Sequence, residues 1–208
     1  MCGIFGGASN IPFTERDWLK RGSAVIKHRG PDAHGEWWSS DKQVGLAHRR
    51  LSIVDLSSQG HQPMADNEDN CRLIFNGELY NHGELRKELI SMGCKFRSTS
   101  DSEVLLNSYI VWGTDCLKRF NGMFSFAIFD SKKQHIFFAR DRSGEKPLFY
   151  HKDGSSIYFA SELKALFEIP SLRKKINWKS LDSYLPLGYV PGEACILEGF
   201  SKLAPGMA

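Results

Sequence analysis

The chain opens with the stretch MCGIFGG, residues 1–7. An apolar run this short, bounded by glycines, predicts a buried strand. Behind it, Thr14 as N-cap and Asp17 three residues later predict a helix that continues to about Lys27. Further strands are predicted over residues 35–39, 44–54 and 71–76. The first part of the chain thus predicts several strands and one helix.

In the rest of the chain, predicted helices come first and a run of short strands follows after Gly122. Capping-box sequences at residues 81–84 and 100–103 predict the starts of two helices, and Gly93 can close the first of them. After Gly122, short strands are predicted over residues 123–130, 135–141, 148–150 and 157–161, with a last helix after Asn177. Strands in a run, flanked by helices rather than alternating with them, predict an α+β fold with mostly antiparallel sheet.

The composition excludes several classes of protein. The 208 residues make one large domain or two small ones, and 27 basic minus 24 acidic side chains leave a net charge of +3. So small a charge predicts neither a nucleic-acid partner nor a membrane surface, and no apolar run reaches the ~20 residues that cross a bilayer. The five cysteines are odd in number and lack CxxC pairs. They predict a reduced, cytoplasmic location rather than a disulfide framework.

The position of Cys2 is compatible with a nucleophile. Removal of Met1 would leave a thiol and a free α-amine on one residue. The reference pKa of an α-amine is about 7.7–8.0, against about 8.5 for a thiol and about 10.4 for a lysine. Such an amine can take the thiol proton near pH 7 and activate the sulfur. A cysteine beside an initiator methionine is otherwise an accident of sequence, and both interpretations stay open at this point.

Four further residues could act together with such a thiol. Asn76 and Gly77 could present an amide and a backbone N–H to the oxyanion of an attacked carbonyl, although Asn-Gly is also a common turn. Arg50 could bind an α-carboxylate through its guanidinium, or form a surface ion pair. Asp101 could accept from an α-ammonium, or only cap a helix. Combined, these side chains suit a small zwitterion.

Larger blocks of sequence carry a resemblance that spans essentially the whole chain. The blocks are MCGIFG (1–6), HRGPD (28–32), AHRRLSIVD (47–55), FNGELYNH (75–82), SDSE (100–103), NGMFSFA (121–127), ARDR (139–142) and FASELKAL (159–166). In this order they resemble the class II, N-terminal-nucleophile glutamine amidotransferases. Within that class they look like the glutaminase domain of glutamine-hydrolysing asparagine synthetases and their paralogues.

The resemblance implies both a fold and a reaction. The fold would be α+β, a four-layer α/β/β/α sandwich of two antiparallel sheets of the N-terminal-nucleophile hydrolase type. Cys2 would attack the side-chain amide of glutamine, releasing ammonia and leaving a γ-glutamyl thioester. Water would then release glutamate.

The resemblance also implies roles for residues. Cys2 would be the nucleophile, and the side chain of Asn76 and the N–H of Gly77 would form the oxyanion hole. Arg50 would hold the α-carboxylate and Asp101 the α-ammonium. The full set of substrate-binding residues would be Arg50, Leu51, Ile53, Val54, Asn76, Gly77, Glu78 and Asp101. No metal ligands are expected, and His28, His48 and His82 are interpreted as structural rather than as a Cys–His dyad.

Domain organisation follows from the same resemblance. Residues 1–208 would be the glutaminase domain, with 186–208 as the start of a linker to an ATP-pyrophosphatase synthetase domain. The Ser-Gly-Gly-x-Asp-Ser phosphate loop of that domain is absent from this sequence. ATP and Mg²⁺ are therefore expected only in the synthetase domain, which would receive the ammonia. Glutamine and that domain are the expected partners, and a homodimer stays open.

Two alternatives remain from the sequence. One is the same hydrolase chemistry in another class II branch, which carries a His-Thr-Arg-Trp-type block where this chain has residues 48–51. The other is a catalytically silent domain of the same fold that binds an amino acid or serves in assembly. Retention of Cys2, Arg50, Asn76, Gly77 and Asp101 argues against the silent domain.

Overall fold

The computed structural model describes all 208 residues, which form ten strands and five α-helices. The strands are β1 Gly3–Ser9, β2 Ala33–Trp38, β3 Val44–Arg50, β4 Met64–Ala65, β5 Cys71–Leu79, β6 Gly122–Asp130, β7 His135–Arg140, β8 Phe149–Asp153, β9 Ser156–Ala160 and β10 Phe200–Lys202. The helices are α1 Asp17–Val25, α2 His82–Ser91, α3 Asp101–Trp112, α4 Leu163–Leu166 and α5 Trp178–Leu187. The strands form two antiparallel sheets, with orders β10-β8-β9-β1-β3-β2 and β4-β5-β6-β7.

The two sheets pack face to face, with helices on their outer faces. Because side chains alternate along a strand, each sheet contributes to two cores. The core between the sheets contains Ile4, Val44, Leu46, Ile74, Ala127, Phe129, Leu148 and Phe159. Phe5 and Ala47 point the other way, towards α1 and α4, while Leu73 and Phe75 face α2 and α3. The expected α+β fold, a four-layer α/β/β/α sandwich, is thus confirmed.

The N-terminal strand lies in the middle of the six-stranded sheet. β1 pairs with β3 on one side and with β9 on the other, as the glycine-bounded apolar run predicts. A Cβ atom on Gly6 would lie 2.7 Å from both the carbonyl oxygen of Gly45 and the ring of Phe159. The glycine therefore lets β1 sit closely between its neighbours, with the start of the chain fixed inside the sheet.

Several predicted boundaries differ from the structure. The first helix begins at Asp17, and its N-cap is Arg16 without a side-chain cap, so Thr14 is not the cap. The predicted strand over 44–54 ends at Arg50, because the chain then turns into a loop. The predicted strand over 71–76 continues to Leu79 as β5, with Asn76 inside it, which excludes the interpretation of Asn-Gly as a turn.

The two capping boxes behave differently. Ser100 accepts from the N–H of Glu103 at 3.3 Å and caps α3 as predicted. The side chain of Asn81 does not cap α2. It bonds instead to the backbone of Arg119 and of Asn121, because that segment lies beside it in the fold. Gly93 follows α2 with a positive φ of 93°, as expected of a residue that closes a helix.

Much of the segment 186–208, expected as the start of a linker, is packed on the domain. Its strand β10 pairs with β8. Farther along, the N–H of Gly206 donates to the carbonyl of Asp141 at 2.8 Å. In the other direction, the N–H of Arg140 donates to the carbonyl of Met207 at 3.0 Å. The connection to a further domain stays a prediction. None of the helices combines the length and apolar character that a bilayer crossing requires.

Two glycines within helices, Gly22 in α1 and Gly83 in α2, are predicted to have opposite effects on stability when replaced by alanine. A Cβ atom on Gly22 would overlap the ring of the buried Phe5, whereas one on Gly83 meets no atom within 4 Å. We expect Gly22→Ala to lower the free energy of unfolding by about 1–3 kcal/mol through overpacking. Gly83→Ala should raise it by up to about 1 kcal/mol, because alanine is the better helix former. Urea unfolding of both variants measures this, and similar effects of the two would contradict the packing argument.

Candidate active site

The candidate site lies where the core between the sheets ends. Ile4, Leu46 and Ile74 are buried between the sheets. Side chains two or four residues away along the same strands face the same space. These positions are Cys2, just before β1, and His48, Arg50, Asn76 and Glu78 in β3 and β5. The alternation of three strands therefore directs a thiol, a guanidinium and an amide towards one place.

All of the residues expected in catalysis or substrate binding line a single cavity. They are Cys2, Arg50, Leu51, Ile53, Val54, Asn76, Gly77, Glu78 and Asp101. The sequence analysis did not identify the other lining residues, which are Met1, Asp55, Gly60, Gln62, Phe75, Ser100, Ser102, Met123 and Lys146. The structure thus gathers the predicted set, although the role of each stays a prediction.

The thiol of Cys2 is held against the loop that follows β3. Its Sγ lies 3.4 Å from the N–H of Leu51, which donates to it, and 3.7 Å from the carbonyl oxygen of the same residue. The Nε of Arg29 donates to the carbonyl of Cys2 at 2.9 Å, and Glu162 pairs with the same guanidinium at 2.9 Å. Burial raises the pKa of the Cys2 thiol, against the opposing effect of the Leu51 N–H. The thiol therefore needs a base to become a nucleophile.

Met1 precedes Cys2 in the structure, so the nitrogen of Cys2 belongs to a peptide bond. The side chain of Met1 lines the same cavity. Its Sδ lies 3.2 Å from the Nζ of Lys146. The structure therefore shows the cavity with Met1 beside the thiol of Cys2.

One edge of β5 faces the cavity beyond the point where β4 ends. The N–H of Phe75 donates to Gln62 at 2.6 Å, and the N–H of Leu79 donates to a carboxylate oxygen of Asp101 at 3.0 Å. Alternate N–H groups of a strand point to the same edge, so that of Gly77 points there too, between these two. Both neighbours have side-chain acceptors, and the N–H between them faces the cavity.

Asn76 is fully buried, yet neither atom of its side-chain amide has a hydrogen-bond partner. Buried amide groups are rarely left unpaired because their desolvation costs free energy. At Gly77 a Cβ would overlap the backbone of Met123 and Phe124 in β6, so only glycine fits. An amide donor and a backbone N–H are thus held at adjacent positions of one strand, an arrangement that can bind a carbonyl oxygen as it becomes negative.

Arg50 organises the loop of residues 51–57, which forms one wall of the cavity. The buried guanidinium donates to the carbonyl of Ser57 at 2.7 Å and also to that of Asp55. Gly60 lies against it, where any side chain would overlap the guanidinium. Arg50 is therefore buried and holds this loop in place, and its interpretation as a surface ion pair is wrong.

Asp55 fixes the same loop from the other side. Its carboxylate accepts from the N–H of Ser57 at 2.7 Å and from the N–H of Thr99 at 2.9 Å. Hydrogen bonds to Ser57, then to Thr99, lower the pKa of the Asp55 carboxyl to about 2 despite its partial desolvation. The apolar residues of the loop, Ile53 among them, are thereby held at the cavity.

Asp101 stands at the first turn of α3 but does not cap it, because Ser100 does. One carboxylate oxygen accepts from the N–H of Leu79. Burial raises the pKa of the Asp101 carboxyl. A cationic group that entered the cavity would therefore offset part of the cost of burying this carboxylate.

The histidines of the sequence blocks that carry the resemblance, His28, His48 and His82, do not line the cavity. His48 is buried between the sheets, with Nε2 3.0 Å from the carbonyl of Phe75. His28 contacts Glu162, and His82 contacts the carbonyl of Leu79. No group of three or more His, Cys, Asp or Glu side chains is placed to hold a metal ion. The structural interpretation of these histidines agrees with their contacts.

Among the cavity residues that the sequence analysis did not identify, two polar ones lie outside all of the sequence blocks that carry the resemblance. Gln62 bridges Phe75 and Ser102 through its two amide atoms, at 2.6 and 2.9 Å. Lys146 is only 6% exposed. Gln62 lies between short elements with no pattern around it, so no sequence signal identifies it. Lys146 follows the block at 139–142, and only its burial singles it out.

Comparisons with known proteins agree with one another. A family model described as a glutamine amidotransferase domain matches residues 1–208. Asparagine synthetase [glutamine-hydrolyzing] 3 of Bacillus subtilis (strain 168) is 41% identical over 100% of this chain and 34% of its own length. Asparagine synthetase [glutamine-hydrolyzing] 1 of the same organism is 35% identical over 99% of this chain and 33% of its length. The chain thus spans about a third of these relatives.

Solved structures show the same architecture. The glutamine phosphoribosylpyrophosphate amidotransferase from B. subtilis, complexed with ADP and GMP, superposes with a TM-score of 0.67 over 85% of this chain and 45% of that chain. Its sequence identity is 20%. A likeness at this identity concerns the fold alone, and it agrees with the two antiparallel sheets and outer helices described above.

Acid should destabilise the protein through His48. Burial lowers the pKa of His48 to about 3, whereas an unfolded histidine titrates near 6.5. Between these values the unfolded state binds one more proton. The free energy of unfolding should therefore fall by about 1.4 kcal/mol per pH unit below about pH 6 on account of this residue.

Urea unfolding between pH 7 and pH 4 measures the slope. His48→Gln keeps an N–H donor for the carbonyl of Phe75. It should reduce the slope by about 1.4 kcal/mol per pH unit, which corresponds to one proton. His34→Gln, at an exposed position, is the matched control. An equal slope in wild type and His48→Gln would refute the assignment.

Proposed function

The chain belongs to the glutamine amidotransferase domain family as an enzyme domain, and we propose that it hydrolyses glutamine to glutamate and ammonia through a thioester on Cys2. One observation carries the proposal. The thiol of Cys2 shares a cavity with the fully buried amide of Asn76, which has no partner within the protein. A nucleophile and an unpaired donor in one cavity suit the attack on a carbonyl group.

The first step requires removal of Met1. The α-amine of Cys2 then takes the proton of the thiol, and Sγ attacks the side-chain carbonyl carbon of glutamine. The C–N bond breaks as the protonated amine returns its proton to the leaving nitrogen, so that ammonia departs and a thioester remains. Water then attacks the thioester, and its cleavage restores the thiol and yields glutamate. Burial raises the pKa of the thiol, which supports the need for this base.

The negative charge of the tetrahedral intermediate would be received by β5. The Nδ2 of Asn76 and the N–H of Gly77 are the proposed donors. Both are fixed by the strand and by its pairing with β6, so they need little reorganisation during the reaction. Preorganised donors of this kind stabilise the transition state more than they stabilise the substrate.

The two ends of the amino acid would meet opposite charges. A guanidinium has five N–H donors, and Arg50 uses two of its nitrogens on the 51–57 loop, so donors remain for an α-carboxylate. Asp101 would accept from the α-ammonium, with Glu78 beside it in the cavity. Leu51, Ile53 and Val54 would contact the methylene groups of the substrate.

The fate of the ammonia is proposed from the relatives. Those named asparagine synthetases are about three times as long as this chain. We propose that the domain supplies ammonia to an asparagine-synthetase-type acceptor domain, in which ATP and Mg²⁺ would act. A catalytically silent amino-acid-binding or assembly domain is the alternative, and glutamine binding without turnover would favour it.

Glutamate release tests the hydrolysis directly. The protein with Met1 removed, as verified by mass spectrometry, should release glutamate from glutamine, and Cys2→Ala should abolish the release because the nucleophile is lost. Cys94→Ala is the matched control, since Cys94 lies outside the cavity. Equal release by wild type and Cys2→Ala would refute the proposal.

Asn76→Ala separates catalysis from stability. Loss of one oxyanion donor should lower kcat about 100- to 1,000-fold while KM changes little. The fold should not suffer, because the amide of Asn76 has no partner to lose. Steady-state kinetics and urea unfolding of the same variant measure both effects. A loss of stability with kcat intact would place Asn76 in the core and not in the reaction.

A further inference from the structure

Lys146 is a buried amine without a carboxylate partner. It is 6% exposed and lines the cavity that contains Cys2. Its Nζ forms no ion pair, and its one polar contact within the protein is the Sδ of Met1 at 3.2 Å. A thioether sulfur is a weak acceptor, and an ammonium buried with so little compensation costs free energy. Such a cost is typical of residues retained for function.

The backbone holds Lys146 in this place. Its N–H donates to a carboxylate oxygen of Asp141 at 3.1 Å, and its carbonyl accepts from the Nε of Arg140 at 2.8 Å. Asp141 also accepts from the N–H of Phe124 in β6 at 3.1 Å. The turn that carries Lys146 is therefore fixed to the four-stranded sheet, and its side chain reaches the N-terminus of the chain from that sheet.

Processing changes what Lys146 faces. Met1, its sole polar contact, is bonded to the nitrogen of Cys2, and removal of Met1 converts this nitrogen into an α-amine. The ammonium of Lys146 and the new α-amine then border the same space. A positive charge in poorly solvated surroundings disfavours a second positive charge nearby. Protonation of the α-amine is therefore opposed.

We propose that Lys146 is a positioning residue that keeps the α-amine of processed Cys2 in its neutral, proton-accepting form near pH 7. The inference rests on the proposed function, because only an amine that serves as base benefits from this effect. Lys146 does not touch the reacting carbonyl in this mechanism. It acts through its charge on the base.

The other charged groups near Cys2 are compensated in different ways. Arg29 holds the carbonyl of Cys2 and is paired with Glu162. Arg50 is bonded to loop carbonyls and would meet the carboxylate of the substrate. Asp101 and Glu78 supply negative charge to the cavity and would be met by the α-ammonium of the substrate. Lys146 is the cation of the cavity that has neither an ion pair within the protein nor an assigned counter-ion on glutamine.

The pH dependence of kcat/KM tests the inference on protein lacking Met1. Lys146→Met removes the charge at similar volume. It should shift the acid limb of the profile to higher pH by about one unit. Activity would then fall about tenfold at pH 6.5 and approach that of wild type at pH 9. Lys146→Arg should restore the wild-type limb. Lys175→Met, which removes a charge from an exposed ion pair, is the control and should leave the limb in place.

A second measurement does not depend on turnover. Titration of the ¹³Cα signal of residue 2 in cysteine-labelled protein reports the pKa of the α-amine, and we expect it to rise by about one unit in Lys146→Met. An unchanged pKa of the α-amine in Lys146→Met, or a loss of activity of equal size at every pH, would overturn the inference. Absence of glutamate release by wild type would instead refute the proposed function, while the titration would still decide the role of Lys146.

Discussion

Face-to-face packing of the two sheets is the constraint on which the rest of the structure depends. The apolar side chains between them come from both sheets, Ile4 and Leu46 from one and Ile74 from the other. At one end this packing gives way to polar residues of the same strands. Because alternate residues of a strand share a face, Cys2, Arg50 and Asn76 must converge at that end once the core has formed. The burial that stabilises the fold thus also builds the cavity.

The cavity contains polar groups that a stable core would not retain. The amide of Asn76 has no partner, Lys146 has only a sulfur atom, and burial raises the pKa of Asp101. Each of these costs folding free energy, since hydrogen bonds within the protein repay none of the desolvation of the Asn76 amide, little of that of Lys146 and only part of that of Asp101. Such uncompensated groups collected in one cavity are typical of a site organised for a ligand rather than for stability.

Local sequence signals failed where a tertiary contact competed with them. Asn81 has the pattern of an N-cap, but its amide bonds to the segment before β6. Thr14 has the same kind of pattern, yet α1 starts only at Asp17. The apolar run after Arg50 resembles more strand, but hydrogen bonds to Arg50 and Asp55 hold it as a loop. For Asn81 and for this loop, the competing partners lie outside the local sequence pattern.

The sequence by itself determined the α+β class, most of the strands, and nine of the 18 residues that line the cavity. Glycine-bounded apolar runs, alternation and the order of the blocks are local properties that a sequence displays directly. Only the tertiary structure decided that Arg50 holds the 51–57 loop, that Gly77 points its N–H into the cavity, and that Lys146 reaches the N-terminus. These facts depend on strand register and on contacts between distant segments, because burial and unpaired donors exist only after the chain has packed.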